Sequence, residues 1–144
     1  MGKKRIITKE GGEGALGVVS SKAAKGGKKK HVAVTLHIEA TFNNTLGTVA
    51  DKNGNTLFSS SAGALGFKGA KKGTPFAAGK AGEVLAEKCE AIGVKEFDAI
   101  IRGVGSGREP MIRSFLARGF DLTGIRDMTP IPHNGPKQKK PRRV

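Results

Sequence analysis

The sequence has no tryptophan, no tyrosine and a single cysteine, Cys89, in 144 residues. One cysteine cannot close an internal disulfide, so the fold must rest on its core. A chain of this size suits one domain, which buries roughly two-thirds of the surface its unfolded form exposes. Long apolar runs are also missing. Nothing approaches the roughly 20 residues of a membrane-spanning helix, and no apolar stretch of signal-peptide length follows Lys3, Lys4 and Arg5. The expectation is a cytoplasmic protein without a membrane partner. His31, His37, His133 and Cys89 have no zinc-ligand spacing. The phosphate-loop pattern G-x-x-x-x-G-K-[ST] does not occur. No metal and no other cofactor is expected.

Acidic residues are scarce too. Twelve Asp and Glu face 26 Lys and Arg, a formal charge of +14. Such a field attracts polyanions, and with a membrane set aside it points to nucleic acid. The charge sits at the ends. Residues 1–30 hold nine basic and two acidic residues, and 129–144 hold five basic and none acidic. Residues 31–128 are nearly balanced, with twelve basic and ten acidic. Three parts result: a basic extension over 1–30, a folded domain over 31–128 and a basic, Pro-rich tail over 129–144. Lys28, Lys29 and Lys30 in the first, and Lys137, Lys139, Lys140, Arg142 and Arg143 in the last, are candidate phosphate contacts.

Gly12-x-Gly14-x-x-Gly17 in the extension matches the dinucleotide fingerprint only on paper. That motif needs a buried strand before it and a helix after it, and neither pattern is present. The folded part begins near His31. Val32, Val34, Leu36, Ile38 and Ala40 alternate with more polar residues, the period of a half-buried strand. A second strand runs from Leu46 to Asp51, Asn53-Gly54 predicts a type I′ hairpin turn, and Thr56–Ala62 returns as a third. Thr74 and Pro75 open a helix with Ala77, Ala81, Val84, Leu85, Cys89 and Ile92 on one face, and Gly93 closes it. Phe97–Val104 is a fourth strand, where contiguous Ala99, Ile100 and Ile101 predict burial on both faces. Ser106 and Glu109 stand at capping-box spacing before a second helix with Met111, Ile112, Phe115 and Leu116 on its apolar side. Phe120–Met128 is a fifth strand. The order βββαβαβ predicts a mixed five-stranded sheet, antiparallel in its first half, with two main helices. This is an α/β domain of ribonuclease-H-like arrangement.

Two glycine-rich loops carry the sharper chemistry. Gly103–Gly107, between a strand and a helix N-terminus and flanked by Arg102 and Arg108, predicts unpaired N–H groups and guanidiniums for a phosphate, with Gly105 allowing close approach. Residues 66–74 combine Phe67 with Lys68, Lys71 and Lys72. Phe67 is either a base-stacking ring or a core anchor, and Phe42 has the same two readings. Asn43 and Asn44 either form Asx turns or bond to sugar and base edges. A two-metal nuclease would need clustered carboxylates. Glu39 and Asp51 are scattered, and Glu83, Glu87 and Glu90 recur as the solvated side of a helix, so no enzyme is expected.

Phe42-Asn43-Asn44-Thr45, Gly66-Phe67-Lys68-Gly69, Thr74-Pro75-Phe76-Ala77-Ala78, Gly107-Arg108-Glu109 and Thr129-Pro130-Ile131-Pro132-His133-Asn134-Gly135 occur in this order. Together they resemble the signature of small-subunit ribosomal protein eleven in its bacterial form, over about residues 31–144. Gly103-Val104-Gly105 stands where that family often has Gly-Pro-Gly, and Pro136 where a cysteine is common. The resemblance implies a ribonuclease-H-like fold without nuclease activity, on the platform of the small ribosomal subunit. It implies binding to 16S-type ribosomal RNA and a share in the cleft that holds the Shine–Dalgarno pairing of the messenger RNA. Implied partners are small-subunit proteins seven and eighteen and initiation factor three. The same resemblance adds Thr45, His133, Asn134 and Gly135 to the RNA-binding residues and implies isoaspartate at Asn134.

Overall fold

A computed structural model describes residues 33–140. The elements follow the expected order: β1 (Ala33–Ala40), β2 (Thr45–Asp51), β3 (Thr56–Ser61), α1 (Pro75–Ile92), β4 (Glu96–Arg102), α2 (Arg108–Ala117) and β5 (Asp121–Asp127). The sheet has the order β3-β2-β1-β4-β5. β1 and β2 pair antiparallel, as do β2 and β3, while β1–β4 and β4–β5 are parallel. Both parallel crossovers step in the same direction across the sheet, so right-handed connections put both helices on one face. There α1 and α2 pack against each other and against β1, β2 and β3.

The alternation in β1 decides which face is the core. Val34, Leu36, Ile38 and Ala40 point under the helices and are 1% exposed or less. Register places Leu36 opposite Val49 on β2 and Ala99 on β4, so each core row crosses three strands. Leu85 and Cys89 of α1 and Met111 and Phe115 of α2 close the layer from above. Phe97, Phe115 and Phe120 stack through it with ring centroids 5.2 and 5.6 Å apart. Each such aromatic or aliphatic side chain, once buried, contributes about 1.5–3 kcal/mol.

The helix signals act as expected in α1. The Thr74 hydroxyl accepts from the Ala77 N–H at 3.3 Å, Pro75 occupies the first turn, and Gly93 ends the helix at φ 81°. Other expectations need correction. Ile100 is half-buried on the face that no helix among the described residues covers, because adjacent strand residues point to opposite faces whatever their hydrophobicity. Leu116 is 46% exposed at the outer side of α2. The hairpin after β2 is not type I′, since Asn53 keeps a negative φ. Instead Gly54 alone is left-handed, at φ 85°, and donates its N–H to the Asp51 carbonyl at 2.9 Å. The long loop before α1 contains a short 3₁₀ turn, Gly69–Gly73, that sequence periodicity missed.

Truncating the core and the open face should therefore have different costs. Leu36→Ala is expected to destabilise the domain by about 2–5 kcal/mol, and Ile100→Ala by distinctly less, below about 2 kcal/mol. Urea unfolding of the full chain, with the two variants compared at equal m-value, measures this.

Candidate nucleic-acid interface

Because β1, β3, β4 and β5 run parallel, their carboxyl ends lie along one edge of the sheet, where β2 begins. That edge collects the 41–44 turn, the 62–74 loop, the 103–107 loop and the start of the tail. The opposite edge has the 52–55 hairpin and the short links after the helices.

The loops are tied to one another. Gly105 donates its N–H to the Ala40 carbonyl at 2.9 Å. A Cβ on Gly103 or Gly105 would overlap the carbonyl oxygens of Ala40 and Thr41, and one on Gly73 would overlap that of Phe42. Gly107 packs against the Thr45 side chain and Ala78. Ser106 donates its hydroxyl to the Gly73 carbonyl at 3.0 Å, joining the third loop to the second. In the 41–44 turn, Thr41 accepts from the Asn44 N–H at 3.1 Å, and its own N–H reaches the Asn44 carbonyl at 2.9 Å. The turn is thus closed by the threonine rather than by an Asx bond. Asn44 Oδ1 and Thr45 Oγ1 are buried there without a hydrogen-bond partner.

A second set of bonds straps the tail to the 103–107 loop. Arg108 donates from Nη1 to the Gly103 carbonyl at 2.9 Å and pairs through Nη2 with Asp127. Thr129 donates its hydroxyl to Asp127 at 2.5 Å and its N–H to the same oxygen at 2.9 Å, and accepts from the Gly103 N–H at 3.2 Å. These Thr129 hydrogen bonds, with the Arg108 guanidinium after them, hold the Asp127 carboxyl at about 2, below the ordinary 3.8.

This geometry corrects the picture of a free phosphate cradle. The N–H groups of Gly103 and Gly105 are engaged, and Arg108 braces the loop from within. No capping box forms at α2, whose N-cap is Gly107 without a side-chain bond, since Ser106 has turned to Gly73. Exposed at this edge are Phe42, Asn43, Lys68 and Lys71, with Lys72 half-buried. Arg102 is exposed at the same end on the uncovered sheet face, across from Glu39 in the register. His133, Asn134, Gly135, Lys137, Lys139 and Lys140 are exposed along the tail, and Asn134 takes a left-handed φ of 53°. Lys28, Lys29, Lys30, Arg142 and Arg143 lie outside the described residues. Sequence reasoning missed two groups at this edge. Phe76 is 66% exposed in the first turn of α1, off the apolar face that the helix periodicity marks. Asp127 and Thr129 form a strap whose partners are distant in sequence, and no local signal marks it.

Glu39 and Asp51 point to opposite faces, because Asp51 shares a register row with core residue Val34 and Glu39 does not. No three His, Cys, Asp or Glu side chains gather as a metal site among the described residues. Glu83 pairs with Lys80 at 2.8 Å and Glu90 with Arg118 at 3.3 Å. Burial pushes the Cys89 thiol up to about 11, which suppresses its thiolate. No helix among the described residues is long and apolar enough to cross a membrane.

The family model described as Ribosomal protein S11 matches residues 34–143. The chain belongs to the Ribosomal protein S11 family. The match takes in every element of the fold but the first residue of β1, the clustered loops and nearly all of the tail, and it leaves residues 1–33 outside. The loop edge described above is thus part of the Ribosomal protein S11 framework rather than an addition to it.

The strap generates a pH dependence. Asp127 has a depressed folded-state value, so its stabilisation is complete above 3.8 and is lost as pH falls through about 2. Thr129→Val removes the hydroxyl donor and is expected to move the Asp127 titration up toward 3.8. Carboxyl-carbon NMR titration of both proteins tests this, and an ordinary value in the unaltered chain would contradict the strap.

Proposed function

We propose that this chain is a non-catalytic structural constituent of the small ribosomal subunit, of bacterial type and ribonuclease-H-like fold, that binds 16S-type ribosomal RNA on the platform. The observation that carries this reading is the convergence of the lysine loop, the Phe42–Thr45 turn and the basic tail at one edge of the sheet, in a member of a ribosomal protein family. Lys68, Lys71, Lys72 and Arg102 contact phosphates, Asn43 contacts sugar or base edges, and the tail from His133 to Arg143 threads between RNA helices. Gly105 and Arg108 act by holding the loops in register, and Thr45 by supporting Gly107 from below. Lys28, Lys29 and Lys30 extend the same electrostatic contact from the other terminus. In that position the protein bridges several RNA helices, lines the cleft for the Shine–Dalgarno pairing and the messenger RNA, and meets small-subunit proteins seven and eighteen and initiation factor three. Its place in the cell is the cytoplasm, within the small subunit.

Binding carried by phosphates is strongly salt-dependent. With about eight phosphates neutralised, log K should fall with log salt at a slope of roughly −6 to −7. Removing residues 1–30 and 136–144, which spares the Thr129 strap, should flatten the slope while leaving the domain folded. Titration of 16S-type RNA over a range of salt measures it, and an unchanged slope would place the binding charge elsewhere.

The two Asn-Gly pairs should age differently. A following glycine lets its nitrogen attack the asparagine side-chain carbonyl and expel ammonia, and the succinimide reopens mainly to isoaspartate. The Gly54 N–H is held by Asp51, whereas Asn134-Gly135 is exposed in the tail. Isoaspartate is expected at Asn134 and unaltered asparagine at Asn53. Mass spectrometry that separates the two linkages decides it, and an intact Asn134 in mature ribosomes would contradict it.

A further inference from the structure

Seven phenylalanines are the chain's only aromatic residues besides histidine. Phe97, Phe115 and Phe120 are in the core, and Phe58 and Phe67 are half-buried. Phe42 and Phe76 alone are exposed, at 78% and 66%. Both stand at the loop edge of the sheet. The Phe42 carbonyl packs on Gly73, and Phe76 follows Gly73 by three residues, in the first turn of α1. No packing requirement of the fold puts two rings in water at the same edge.

Phe76 is held firmly. Pro75 fixes the backbone before it, Thr74 caps the turn, and Phe67 meets its ring at 6.1 Å with an interplanar angle of 86°. The Lys80 ammonium lies over one face of the ring, 5.9 Å from its centroid, and is paired with Glu83. The surroundings are cationic, with Lys68, Lys71 and Lys72 in the preceding loop and no acidic residue between Asp51 and Glu83. A rigid, largely exposed ring beside a cationic loop is the arrangement that takes an unpaired base and the phosphates flanking it. A protein partner could cover the rings, but it would also have to supply carboxylates for the lysines, whereas an RNA strand carries one anionic phosphate per base.

We propose that Phe76, together with Phe42, is a stacking platform for unpaired RNA bases, distinct from the phosphate contacts of the tail. This rests on the RNA-binding reading above and names the form of RNA that this edge takes, namely single-stranded segments or splayed-out bases rather than duplex.

The test uses the full chain and two probes at one fixed salt concentration, a short oligoadenylate strand and an RNA duplex of equal length. Phe76→Trp introduces the chain's sole tryptophan, and its fluorescence should be quenched by the single strand and not by the duplex. Phe76→Ala and Phe76→Leu should both weaken single-strand binding by about 5- to 150-fold, the range expected for one stacked base. Duplex affinity should change by less than about twofold, since phosphate contacts are shared by both probes. Leucine keeps an apolar side chain at the position, so loss in both variants assigns the effect to the ring's π-face. Equal loss on both probes, or loss on neither, would overturn the stacking site while leaving RNA binding in place. An unaltered chain that binds neither probe would overturn the RNA-binding reading together with it.

Discussion

The Gly105 N–H reaches the Ala40 carbonyl at 2.9 Å, in a space where neither Gly103 nor Gly105 could carry a Cβ. This backbone-to-backbone approach is the constraint on which the loop edge depends. It draws the 103–107 loop onto the end of β1, while Gly73 brings the lysine loop onto Phe42 and Gly107 seats α2 over Thr45 and Ala78. Three loops that are remote in sequence become one surface because four glycines let main chain meet main chain or a neighbouring side chain. The Asp127–Thr129–Arg108 bonds then add the tail as a fourth component.

Topology supplies the other half of the arrangement. Parallel strands send their following loops to a common edge, as in open α/β sheets that bind ligands at the carboxyl ends of their strands. Here the edge presents exposed loops with much positive charge, which suit a large polyanion. The nearly balanced charge of residues 31–128 keeps the folded body from repelling itself, while the basic ends carry the excess. Stability comes from the opposite side of the division. The single core layer between β1 and the two helices uses Leu36, Leu85, Met111 and Phe115, none of which reaches the loop edge's surface.

Local signals were the legible part of the sequence. The alternation from Val34 to Ala40 fixed a strand and its buried face, and Thr74, Pro75 and Gly93 marked both ends of α1 within a residue. Signals that depend on what lies across space were not legible. Ile100 looks as apolar as Ile101, and only the one-sided placement of both helices separates them. Ser106 and Glu109 have capping-box spacing, yet the Gly73 carbonyl captures the serine. Arg108 reads as a phosphate clamp until Asp127, nineteen residues away, is found beside it. Phe76 belongs by pattern to a helix and by position to the exposed loop edge, because the first turn of α1 emerges there.

A surface gathered by loop–loop contacts should respond to its partner as one unit. Amide hydrogen exchange of the full chain, measured free and bound to 16S-type RNA, tests this most directly. Protection should rise together in residues 41–45, 62–74, 102–108 and 128–135, with the 52–55 hairpin and the end of α1 unchanged. Protection confined to the tail, or centred on the hairpin edge, would contradict it.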